Sequence, residues 1–65
     1  MNYEQLKQLE RKEYNELMEL YEIKTAWEER GESKEKIESV EHSITWQHGR
    51  WGMLTDIIEQ LENNK

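Results

Sequence analysis

His42 and His48 are the chain's two histidines, and with fifteen Asp and Glu residues they are the side chains best suited to proton transfer or metal ligation. On a helix, a separation of six residues sets the two rings about 120° apart, so they do not chelate one ion together. His42 follows Glu38 by four residues, which supplies half of a site that a second copy would have to complete. Di-metal helical bundles join facing carboxylates to a Glu-x-x-His pair, and Glu10, Glu13 and Glu16 would furnish only the carboxylates. Ser39 and Thr45 stand where that pairing needs an acid, three residues before each histidine. No metal and no cofactor are expected. Ser43 adjoins His42, yet consecutive helical residues diverge by about 100°, which keeps a base from its nucleophile. Gly49 and Gly52 lack the spacing and the Lys-Ser/Thr ending of a phosphate loop, and the absence of cysteine removes thiol chemistry. The residues give an enzyme no foothold, and binding is the expected mode of action.

Charge narrows the partners. Nine Lys and Arg against fifteen Asp and Glu give a net charge of -6, and the basic groupings, Arg11-Lys12 and Lys34/Lys36, are flanked by glutamates. Neutralising phosphates requires a clustered positive face, so direct nucleic-acid binding is not expected. The acid run Glu10, Glu13, Glu16, Glu19 and Glu22 suggests an alternative, an acidic mimic that occupies a DNA- or RNA-binding protein. Steps of three rotate the carboxylates around the helix, so a solvated surface is the ordinary expectation for them. Apolar runs do not exceed two residues, which excludes a membrane span and points to a soluble, cytoplasmic protein.

The elements that must carry these residues are helices. Sixty-five residues with no proline, three glycines and 37% charged residues suit long helices and leave little turn chemistry for a sheet. Asn2 is the expected N-cap of a first helix, with Gln5 at the reciprocal position and Met1 able to staple against Leu6. That helix should run from about residue 3 to about residue 30, ending at Gly31 in a left-handed conformation. Ser33 should cap a second helix, about 34–62, after a turn at about 31–33, and so short a turn makes the helices antiparallel neighbours. In the second helix Ile37, Ile44, Trp51 and Ile58 fall seven apart, each followed three residues later by Val40, Gln47, Leu54 and Leu61. This a/d seam stays in phase across Gly49 and Gly52, which favours one continuous helix over a break near His48 to Gly52. The first helix offers a broader face from Tyr3, Leu6, Leu9, Tyr14, Leu17, Leu20, Tyr21, Ile23 and Trp27.

Folding about residue 32 brings together positions whose numbers sum to roughly 64, among them Leu20 with Ile44, Leu17 with Gln47 and Glu13 with Trp51. Glu13 would then accept the Trp51 indole N–H, with Gln47 in the same layer fixing register. If that layer sets register alone, Gln47→Leu leaves stability unchanged or higher while loosening the oligomer.

A second ridge on the same helix, His42, Trp46, Gly49, Met53 and Ile57, asks for a second partner. Arg50 flanks it, and Trp and Arg positions often carry interface energy. The expectation is an all-α, two-helix antiparallel hairpin that dimerises into a four-helix bundle and serves as a small adaptor or regulator. Its expected partners are a second copy and an unidentified protein, contacted through His42, Trp46, Gly49, Arg50, Met53 and Ile57.

Overall fold

The structure, a computed structural model, describes residues 2–64. Helix α1 spans Tyr3–Arg30 and helix α2 spans Lys34–Asn63. Each boundary has a local cause. Asn2 Oδ1 accepts from the Gln5 backbone N–H at 2.8 Å, and the Asn2 N–H donates to Gln5 Oε1 at 3.1 Å, closing a capping box. The staple expected from Met1 lies outside the described residues. At the other end of α1, Gly31 adopts φ 70°, and its N–H and that of Glu32 donate to the carbonyls of Glu28 and Trp27 at 3.2 and 2.9 Å. This is the Schellman arrangement, which satisfies helix-end carbonyls at the cost of one left-handed residue. Ser33 Oγ then accepts from the Lys36 N–H at 3.2 Å and starts α2.

Helix α2 runs unbroken through Gly49 and Gly52. A three-residue connection sends it back along α1, and contacts tie the pair from end to end: Tyr3 donates to Glu62 at 2.8 Å, Gln47 meets Glu13, and Lys24 pairs with Glu41 at 3.7 Å. The result is a rod of 49 × 16 × 14 Å.

Burial follows the seam of α2 closely. Val40, Ile44, Gln47 and Ile58 are buried, Ile37, Trp51 and Leu54 are half-buried, and Leu61 at the open end is exposed. Leu17, Val40 and Ile44 form the core, with Met18, Leu20, Trp27 and Trp51 packed against it. Among the described residues four apolar side chains are buried, a small core for a chain of this length. On α1 the inward positions are Leu6, Leu9, Glu13, Leu17, Leu20, Lys24 and Trp27, whereas Tyr14, Tyr21 and Ile23 are exposed and only edge that face.

Candidate protein-contact surface

The ridge of α2 stands on a polar layer buried at mid-helix. Glu13 and Gln47 are each 4% exposed. Gln47 Nε2 donates to the Glu13 main-chain carbonyl at 3.0 Å and also to Glu13 Oε2. Arg50 Nη2 donates to Glu13 Oε1 at 2.9 Å, completing the shell of that carboxylate. An ionised carboxylate is tolerated in such a place when charge-assisted bonds surround it. Among the described residues, no buried side-chain nitrogen or oxygen lacks a hydrogen-bond partner.

Trp51 departs from the expectation that its indole would bond Glu13. Its Nε1–H donates instead to Glu10 Oε2 at 2.8 Å, one turn earlier on α1. Three residues rotate Glu10 by about 60° from Glu13, to the side of the seam where the Trp51 ring packs. There the ring lies 5.6 Å from Tyr14 and 5.9 Å from His48, centroid to centroid. The acid run is also corrected: Glu13 is buried and Glu10 half-buried, while Glu16, Glu19 and Glu22 are exposed. Glu13 is thus turned inward onto Gln47 and Arg50, and one oxygen of Glu10 is taken by Trp51.

The six residues expected to make partner contact share an arc of about 100° on α2. Trp46 and Met53 are 63% and 66% exposed, and Ile57, Arg50, Gly49 and His42 are exposed as well. Arg50, Met53 and Ile57 come together with Leu9 of α1 and Leu54 to line one shallow groove. The Arg50 guanidinium lies 4.9 Å from the Trp46 ring centroid, within cation–π range. Arg50 thus joins the outer ridge to the buried Glu13 layer. Gly49 is open: a Cβ built there meets nothing within 4 Å. His42 sits apart from the groove, beside Glu38, Glu41 and Thr45.

Leu9 and Leu54 were not legible as site residues in the sequence, being visible only as members of the α1 face and the α2 seam. The register drawn from the sequence gave Glu13 to Trp51, so its pairing with Arg50 was missed. Among the described residues there is no group of three or more His, Cys, Asp or Glu placed to hold a metal ion, and no helix is long and apolar enough to cross a membrane. No protein-family model, curated protein or solved structure matches the chain.

Proposed function

We propose that this chain is a small acidic helical module that acts by protein–protein contact, as an adaptor or regulator, and that the ridge of α2 is its contact surface. The observation that carries the reading is the position of Trp46 and Met53, two large apolar side chains left more than three-fifths exposed on a chain whose core is small. Exposed apolar groups gathered on one helix face mark interaction sites more often than singly scattered ones do. Trp and Arg supply much of the energy at such sites, and here the Arg50 guanidinium lies over the Trp46 ring. Dimerisation into a four-helix bundle belongs to this reading, since two more helices would cover the side that a hairpin leaves open.

Trp46→Ala is the direct test. The side chain lies outside the core, so helicity by circular dichroism should be unchanged while association, self or foreign, weakens. Retention of all binding by Trp46→Ala would reject the ridge as the contact surface. An acidic mimic would instead lose its partner steeply as salt rises, whereas an apolar ridge should respond little.

A further inference from the structure

We propose that the ridge is covered by α2 of a second copy running antiparallel, about a two-fold axis passing between Trp51 and Gly52. This rests on the contact-module reading above and names its occupant.

The uncovered area is the size that a second copy would bury. The hairpin exposes 5193 Å² at a mass of 8.0 kDa, where a compact monomer of that mass exposes about 4,450 Å². The excess, about 740 Å², is close to the roughly 800 Å² that each partner buries in a standard-size interface. The elongated shape is the source of the excess, and pairing along the rod is what removes it.

Spacing and charge argue for the direction. Trp46, Arg50, Met53 and Ile57 are separated by four, three and four residues, a series unchanged by reversal. Antiparallel pairing about its midpoint sets Trp46 on the partner subunit's Ile57 and Arg50 on the partner subunit's Met53. Parallel pairing would set Arg50 on the partner subunit's Arg50, a like-charge opposition in a partly desolvated seam. Arg50 keeps Glu13 at 2.9 Å within its own hairpin in either direction, and the antiparallel one also lets its apolar stem pack under the partner subunit's Met53. Leu9, at the edge of the same groove, extends the apolar area toward α1.

The chain has no cysteine, so one introduced thiol is a unique labelling site. Glu38→Cys, exposed on α2, is to be spin-labelled and studied by sedimentation and by pulsed dipolar distance measurement. Antiparallel pairing about the stated axis puts the two labels on the order of 40 Å apart, from 1.5 Å of rise per residue. Trp46→Ala in the labelled chain should raise the dimer dissociation constant at least about tenfold and abolish that distance. A label separation of about 10–20 Å, expected when the two α2 helices point the same way, would overturn the direction and leave both the dimer and the contact-module reading standing. A dimer that Trp46→Ala leaves intact would overturn the assignment of the ridge to self-association. A monomer at every concentration would overturn the second copy as occupant, and the contact-module reading would then rest on Trp46→Ala against a foreign protein.

Discussion

Glu13 is the residue on which the middle of the hairpin turns, because three bonds from Gln47 and Arg50 converge on it. Truncating either partner of a buried hydrogen bond strands the other, which costs about 1–3 kcal/mol. Gln47→Leu is therefore expected to destabilise the hairpin by about that amount, by leaving Glu13 Oε2 without its donor. This reverses what the sequence suggested, where Gln47 lay opposite Leu17 and served only to fix register in the Glu13 layer. Glu13→Leu alone should cost less, since Gln47 Nε2 keeps the residue-13 main-chain carbonyl at 3.0 Å and half-exposed Arg50 can turn outward. The double variant should recover most of the loss, because replacing both partners by apolar groups removes the desolvation penalty. Urea denaturation of the four proteins in the cycle checks this, and simple additivity would contradict the coupling. Tyr3 presents a different kind of test at the open end. Its phenol donates to Glu62, and that bond, with partial burial and the negative charges of Glu62 and Glu4 adding to it, raises the Tyr3 pKa above the usual tyrosine value. A raised folded-state pKa means a contribution fully present below the unfolded-state value and lost as pH climbs through the folded one. The titration component removed by Tyr3→Phe should thus have its midpoint above the ordinary tyrosine range. A midpoint at or below that range would show the Glu62 bond to be absent in solution.

At the scale of elements, the glycines divide by what their backbone requires. Gly31 sits at φ 70°, where a side chain is strained, so Gly31→Ala should cost about 1–2 kcal/mol in thermal or urea denaturation. Gly52 lies in the interior of α2, and a Cβ built there meets nothing within 4 Å, so Gly52→Ala should stabilise by about 1 kcal/mol. The same Cβ test is clear at Gly49, and a helix gain there accompanied by weaker association would mark Gly49 as a point of close approach between copies. These caps and turns were legible in the sequence because their causes are local: Asn2 with Gln5, Gly31 and Ser33 each act within a few residues of themselves. The seam of α2 was legible for a related reason, since eight positions in strict heptad spacing include only one polar residue, Gln47, and all of them but Leu61 are at least half-buried. The face of α1 was legible only in part. Its inward series steps from Leu6 through Leu9, Glu13, Leu17, Leu20 and Lys24 to Trp27, spaced three, four, four, three, four and three. Two of those positions are charged. Hydrophobicity alone therefore pulls the reading toward Tyr14, Tyr21 and Ile23, which the structure leaves exposed. Lys24 is admitted because its long stem packs while its amine reaches Glu41, and Glu13 because α2 brings it donors. Neither cause exists within α1 itself.

For the whole molecule, two long helices bury only a narrow seam, and what the chain gains on folding alone is correspondingly small. A rod with a core built around Leu17, Val40, Ile44 and Ile58 has little apolar burial to set against the ordering of its chain. The ridge of Trp46, Met53 and Ile57 represents the additional burial available, and association is the means of gaining it. If folding and pairing are coupled in this way, stability must depend on protein concentration, because the native state is favoured by mass action. Each tenfold rise in concentration should then add about 1.4 kcal/mol per mole of dimer, which moves the thermal midpoint upward by on the order of 5 °C for a body of this size. Trp46→Asp places a charge on the ridge without touching the core, so it should lower the midpoint at high concentration and remove the dependence altogether. A midpoint independent of concentration in the unmodified chain would mean that the narrow seam suffices, and would overturn self-association through the ridge. Added salt separates the remaining contribution: with a net charge of -6 on each copy, screening should strengthen self-association modestly, the opposite of what a charge-mimicking surface would show toward a basic partner.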